Sequence, residues 1–378
     1  MMIFLAVSAI VCSAIALEKL DFPYLWIASF WFVLLLFAFL KGVRPRALWF
    51  NLAILVLAVA GMEAWAGYQN AFRMEGHDPG KYINSDHFDL GYAANPDQRV
   101  RARRMLRDEV LYDVHYSIAS NGLRVAPPVS EEGADECILF FGGSFTFGEG
   151  VNDDETLPFQ TGLKTAGRYH VYNFGLHGYG PHQMLAALES SYVTERINCK
   201  PRFVIYQGIW FHAFRVAGME LWDSRGPHYV KDDAIGVKLL GRFEDDPYLA
   251  GRRWVMERLY RSNLFSRIHQ RVRRPTTQAY ETYLAIVKET QRLIETRYPD
   301  CEFHILFWDE PWLPMEGIFE TGFNFHRVGS ILPAGWREQR VQYQVHEHDQ
   351  HPNRRSFEYL SDYVVGKIVN TNGNERDR

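Results

Sequence analysis

The sequence predicts an α/β domain built on a parallel sheet, held behind a membrane anchor of about three apolar helices. Two patterns lead there. From Cys137 onward short apolar runs alternate with longer amphipathic ones, the order that a parallel sheet with crossover helices produces. Ahead of residue 67 stand three apolar runs, Met1–Leu17, Phe22–Leu40 and Ala47–Ala66, separated by short polar loops. A bilayer span takes roughly 20 mostly apolar residues, so the second and third runs qualify and the first is marginal. The 378 residues hold one large or two modest domains, and a net charge of -4 leaves no basic footprint for nucleic acid.

Basic residues orient the anchor (1–67). Lys41, Arg44 and Arg46 lie between the second and third runs, whereas Glu18, Lys19 and Asp21 nearly cancel between the first two. The positive loop stays cytoplasmic, and the third helix leads outward, placing the chain beyond about residue 70 on the extracytoplasmic (periplasmic) side of an inner membrane. Ala14-Ile15-Ala16 imitates a signal-peptide cleavage site, but no Lys or Arg precedes the apolar stretch.

Residues 68–134 read as a polar, irregular lead-in. Its one structural signal is Asn121-Gly122, which follows the alternating stretch Tyr112–Ile118 and predicts a hairpin. Arg124 in that hairpin is a candidate for an anionic ligand or for a surface ion pair. Predicted strands are Cys137–Phe141, His170–Phe174, Phe203–Gln207 and Glu302–Trp308, each brief and apolar on both faces, as a doubly covered sheet requires. Residues 229–274, rich in charge and aromatics, predict a helical insertion beside the site. Thr277–Tyr298 reads as an amphipathic helix and Arg354–Val369 as the closing helix, and 371–378 form a polar tail. Cys137, Cys199 and Cys301 fall at or just before strand starts and so are expected along one edge of the sheet; Cys199 with Cys301 is the preferred pair, unpaired buried thiols being the alternative. Their spacing carries no zinc pattern.

The chemistry concentrates where the run Cys137–Phe141 stops at Gly142-Gly143-Ser144-Phe145-Thr146-Phe147-Gly148-Glu149-Gly150. A phosphate loop would carry Lys after Gly148, and Glu149 there repels phosphate. A nucleophile elbow would need glycine at Thr146. The block resembles the first motif of the SGNH (GDSL-type) esterases, with Ser144 as nucleophile and Gly143 where the family more often has Asp. The last motif of that family, D-x-x-H-P, is approached by His346-Glu-His-Asp-Gln-His-Pro-Asn353. His351 is then the base. The family's acid position holds His348, so Asp349, two residues before His351, is assigned the acid, with Glu347 in reserve; residues i and i+2 of an extended segment point the same way. A metal site or a solvated turn are the other readings of this loop.

The resemblance extends further with departures. Asn173-Phe-Gly175-Leu-His177-Gly178 is similar to the second motif and makes the Gly178 N–H an oxyanion donor beside that of Ser144, or else a strand-to-helix turn. The family's third motif supplies an Asn after the third strand; here Val204–Arg215 has none, leaving His212 or Gln207 as donor, or His212 as a packing residue. Over residues 135–370 the resemblance implies a three-layer α/β/α flavodoxin-like domain and a membrane-tethered serine esterase without cofactor or metal. It implies removal of O-acyl, chiefly acetyl, groups from exported or cell-wall glycans. The same acyl-enzyme serving a sugar hydroxyl would be an O-acetyltransferase, fed by a multi-spanning acyl-transfer membrane protein. The departed motifs leave a third reading, a non-catalytic module that binds glycan or assembles a membrane complex.

Overall fold

The structure, a computed structural model, describes residues 32–33, 35–37, 41, 46–75, 82–129, 135–310 and 322–370. It divides into two units: residues 1–72 with 251–274, and residues 73–250 with 275–378. In the first unit the helix Arg46–Gln69 contains Phe50–Gln69, the one helix among the described residues long and apolar enough to cross a membrane. The other two apolar runs lie, but for a few positions of the second, outside the described residues, as does the tail 371–378.

In the second unit a five-stranded parallel sheet forms from β1 (Glu136–Gly142), β2 (His170–Asn173), β3 (Lys200–Ile209), β4 (Glu302–Trp308) and β5 (Asn324–Arg327). All four expected strands are present. The spatial order is β5-β4-β3-β1-β2, so the winding reverses between β1 and β3. β5, with the polar sequence Asn-Phe-His-Arg, lies on the edge beside β4 and carries no apolar run to reveal it.

Side-chain alternation along the strands builds two cores. Leu139 and Phe141 of β1, Val204 and Tyr206 of β3, and Ile305 and Phe307 of β4 enter one, where the helices Pro181–Glu189 and Thr277–Arg297 bring Leu185, Leu188, Ile286 and Ile294. Ile138, Phe140, Phe203, Ile205 and Leu306 enter the other, closed by Leu157 of Leu157–Lys164 and by Phe357 and Leu360 of Arg354–Tyr363. A strand with both faces dry can be continuously apolar, which is why β1 and β3 were legible. The closing helix continues from Val364 to Val369 in wider, π-type turns.

Two expectations are corrected. Within 68–134 the lead-in is largely strand: Gln98–Leu106 and Glu109–Ile118 form an antiparallel hairpin, and Ile83–His87 pairs with Gly91–Ala94. Its turn is Arg107-Asp108, with Arg107 at φ +55°, so the glycine that usually marks such a turn is missing. Asn121-Gly122 does reverse the chain, Gly122 standing at φ +76°, but it closes only a tight loop in which Ile118 faces Arg124. Residues 229–274 are not wholly helical: Pro227–Asp232 and Gly236–Arg242 form a β-hairpin before the helices Pro247–Leu259 and Asn263–Val272. Moreover 251–274 belong to the first unit.

The cysteines pair differently from the preferred assignment. Cys137 and Cys199 form a disulfide and Cys301 is a buried free thiol. The sheet register decides it: Cys137 lies opposite Pro201 across β1 and β3, next to Cys199.

Candidate active site

β1 ends at Gly142, whose φ of +150° and surroundings exclude a side chain: a Cβ there would come 2.3 Å from Thr146 Oγ1 and 2.9 Å from the Gln207 carbonyl oxygen. The chain then enters one short helix, Ser144–Phe147, stopped by Gly148 in the left-handed conformation. Thr146 Oγ1 donates to Gln207 Oε1 (3.0 Å), bracing the turn from β3. Gln207 is thereby a support, and its Nε2 is buried without a partner.

Ser144 is 7% exposed at the carboxyl end of β1. His351 Nε2 lies 2.9 Å from Ser144 Oγ, and His351 Nδ1 lies 2.6 Å from Asp349 Oδ1. Asp349 and His351 sit two apart on the short strand Asp349–Pro352, which is how the assigned acid reaches the ring; the His351 backbone N–H also donates to Asp349 Oδ1. Glu347 and His348 are exposed and pair weakly with each other. Among the described residues no group of His, Cys, Asp and Glu is arranged to hold a metal ion.

Three residues absent from the sequence assignment complete the cluster. Arg104, on the strand Gln98–Leu106, donates through Nη1 to Asp349 Oδ2 at 2.8 Å. Glu149 places Oε2 2.6 Å from His177 Nδ1 and 3.4 Å from His351 Nε2. Glu149 and His177 were visible inside the two glycine-rich motifs, where Glu149 served only to reject phosphate. Arg104 gave no signal, because an Arg-rich strand reads as a solvated face.

These charges set the protonation of the site. Burial opposes charge on His351, but Glu149 and Asp349 outweigh it and hold its pKa above that of an ordinary imidazole. Burial likewise opposes charge on Asp349, yet His351 and Arg104 keep its carboxyl below the usual range. Glu149 is pulled down in the same way by His351 and His177 against its burial. Glu149 and Asp349 thus both favour the protonated form of His351 relative to an ordinary imidazole.

His212 and Gly178 are placed less directly. The cleft that Ser144 and His351 line has a volume of about 400 Å³, and neither His212 nor Gly178 is in its wall. His212 is buried near the Ser144 turn, with Nδ1 on the Tyr206 hydroxyl and Nε2 without a partner, close to Gly143. Burial first, then Arg215, pushes its pKa far down, so it is neutral. Burial also keeps the Tyr206 proton in place. The Tyr206 hydroxyl also faces that of Tyr283 at 3.2 Å: donated to Nδ1, its proton leaves the His212 hydrogen on Nε2, and donated to Tyr283 it leaves that hydrogen on Nδ1. Gly178 stands at φ +78°, where a Cβ would strike Trp222 Nε1 and the Tyr92 hydroxyl. Gly143 has equal cause to lack a side chain: its Cβ would lie 2.5 Å from Arg215 Nη1 and 2.8 Å from the Tyr179 carbonyl oxygen.

Arg124 neither awaits a ligand nor forms a surface pair. It is 2% exposed, donates to the carbonyl oxygens of Phe147 (2.7 Å), Gly148 (2.6 Å) and Val151 (2.8 Å), pairs with Asp153, and stacks on Tyr116 and Phe147. It fastens the Ser144 turn to the preceding hairpin.

The cleft wall is aromatic, with Phe145, Trp210, Phe211, Trp308, Trp336 and Tyr343, and carries Arg104, Arg340, Asp309 and Glu310 as polar groups. Its size suits a small ligand or one or two rings of a larger one. Set against protein-family models, curated proteins and solved structures, the chain matches none.

Proposed function

We propose that the chain is a membrane-tethered serine ester hydrolase of the SGNH type, acting outside the cytoplasmic membrane on O-acyl, chiefly acetyl, groups of exported or cell-wall glycans. The observation that carries this reading is the continuous hydrogen-bond chain from Asp349 through His351 to Ser144. The strand order supports it. Counted along the chain it is 2-1-3-4-5, that of flavodoxin-like three-layer sheets, and Ser144 stands at the carboxyl end of β1, next to the reversal where such sheets bind ligands.

In this mechanism neutral His351 takes the Ser144 proton at Nε2 while Oγ attacks the ester carbonyl. Asp349, held by Arg104, orients the ring and stabilises the imidazolium. His351 returns the proton to the leaving alcohol, and water then repeats the sequence on the acyl-enzyme. The proposed oxyanion donors are the Ser144 and Gly178 backbone N–H groups and His212 Nε2, of which only Ser144 stands in the cleft wall. The indole faces of Trp210 and Trp308 suit the flat apolar faces of sugar rings. The Cys137–Cys199 disulfide supports an oxidising, extracytoplasmic compartment.

Fluorophosphonate labelling of the full chain in detergent, beside an acetyl ester assay, tests the reading. Wild type is expected to label and to release acetate. Ser144→Ala should lose the label, and His351→Ala should slow turnover at least about a thousandfold. Acetate release that gives way to acetylated sugar when a glycan acceptor is added would favour the transferase. A folded wild type that neither labels nor turns over ester would leave the non-catalytic module.

A further inference from the structure

We propose that residues 251–274 form an interfacial segment that lies on the bilayer surface, its apolar side chains in the acyl boundary and its arginines on anionic lipid phosphates. The inference rests on reading Phe50–Gln69 as a membrane span. It starts from Glu63, which sits inside that apolar stretch and is 4% exposed. Its carboxylate accepts from the Ser262 hydroxyl (2.7 Å) and from the backbone N–H groups of Asn263 (2.6 Å) and Leu264 (3.0 Å). These are unpaired donors at the start of the helix Asn263–Val272, so the apolar helix caps the second helix with a charge that suits its dipole.

This cap sets a depth. Glu63 precedes Gln69 by six residues, roughly 9 Å along a helix. An amphipathic helix in a bilayer surface buries its apolar face by about 5–10 Å at the headgroup–acyl boundary. Nearby contacts have the same interfacial character: Arg267 donates to Asn70 Oδ1 (3.4 Å) and stacks over Trp65, which is half-exposed. Trp and Arg favour this level of a membrane because each joins an apolar body to a polar tip.

Composition and exposure then separate the segment from an ordinary surface. Residues 251–274 hold eight arginines against one acidic residue, Glu257. Beside them Ile268 and Val272, one turn apart on the helix, are 52% and 65% exposed, and Trp254, Val255 and Leu259 are exposed on the preceding helix. Water would leave these apolar side chains uncovered. An anionic bilayer covers them while arginine stems reach out to the phosphates, so one occupant satisfies both features. The segment is also continuous with the span through Glu63, which delivers it to that surface.

The test uses the full chain with Val272→Cys carrying an environment-sensitive fluorophore, in a Cys12→Ser, Cys301→Ser background. The protein is placed in vesicles of phosphatidylcholine alone and of phosphatidylcholine with phosphatidylglycerol at about two to one. The expected result is a blue shift, with quenching by lipids brominated near the headgroup, larger in the anionic vesicles. Ile268→Cys should report the same, and the combined variant Arg258→Gln, Arg261→Gln, Arg271→Gln, Arg274→Gln should lose the preference for phosphatidylglycerol. Emission at both positions that stays as in water, or that is equal in the two lipids, overturns the proposal. Alkaline carbonate extraction reports separately on the span: a chain released by carbonate that still shows the shift on anionic vesicles keeps the interfacial segment and loses the anchor.

Discussion

His351 lies between two carboxylates that act at different nitrogens. Asp349 meets Nδ1, as a residue orienting a base should, whereas Glu149 approaches Nε2, the nitrogen that faces Ser144 Oγ. Both raise the affinity of the ring for a proton. In the proposed mechanism the base must be neutral to accept the serine proton, so esterase activity should fall as pH drops through a midpoint above that of an ordinary imidazole. Glu149→Gln removes one of the charges and should move that acid limb of kcat/KM to lower pH; a limb that stays put or rises would show that Glu149 does not act on His351. A second residue-scale prediction concerns Gly143. Replacing it with Asp, as in the family the motif resembles, drives a Cβ against the Tyr179 carbonyl and Arg215. We expect Gly143→Asp to cost at least about 1–3 kcal/mol, measured by denaturant unfolding, and to slow fluorophosphonate labelling.

At the scale of elements, the hairpin Gln98–Ile118 with the loop that follows it is a working part of the site. It supplies Arg104 to Asp349, and the following turn supplies Arg124 to three carbonyl oxygens around the Ser144 turn. Those carbonyls would lose their buried donor in Arg124→Leu, so a loss of about 3–5 kcal/mol in unfolding free energy is expected. Arg124→Lys should recover only part of it, because an ammonium cannot reproduce the planar fork that spans Phe147, Gly148 and Val151. Equal stability of the Lys variant and wild type would contradict this role. The hairpin escaped the sequence reading for a physical reason. Its first strand carries Arg99, Arg101, Arg103 and Arg104, and its turn achieves positive φ at Arg107, so neither an apolar run nor a glycine marks it.

For the whole molecule, the disulfide joins the start of β1 to the segment entering β3 across 62 residues. The chain-entropy account assigns such a link about 4 kcal/mol of stability. Reduction, or Cys137→Ala with Cys199→Ala, should therefore lower Tm markedly, while Cys301→Ser, which touches a thiol outside the link, should not reproduce the loss. An unchanged Tm on reduction would show that the sheet alone holds these strands in register.

The sequence by itself determined what depends on local pattern. Three strands with both faces dry, β1, β3 and β4, appear as apolar runs and the edge strand β2 as a shorter one, the apolar helix Arg46–Gln69 appears by its length, and Ser144, Asp349 and His351 appear because glycine turns and His-Pro loops concentrate their residues in short stretches. Only the tertiary structure decided what depends on register and on approach between distant segments. Cys137 meets Cys199 because β1 lies beside β3. Arg104 and Glu149 join the Asp349–His351 pair from 245 and 202 residues away, and although Glu149 stands inside the Ser144 block, nothing around Arg104 in the sequence announces the meeting. Residues 251–274 leave the α/β unit because Glu63 caps their helix, a contact between segments about 200 residues apart. Local propensity is written in neighbours along the chain; pairing across a sheet and capping between segments distant in sequence are set by packing, which no short stretch contains.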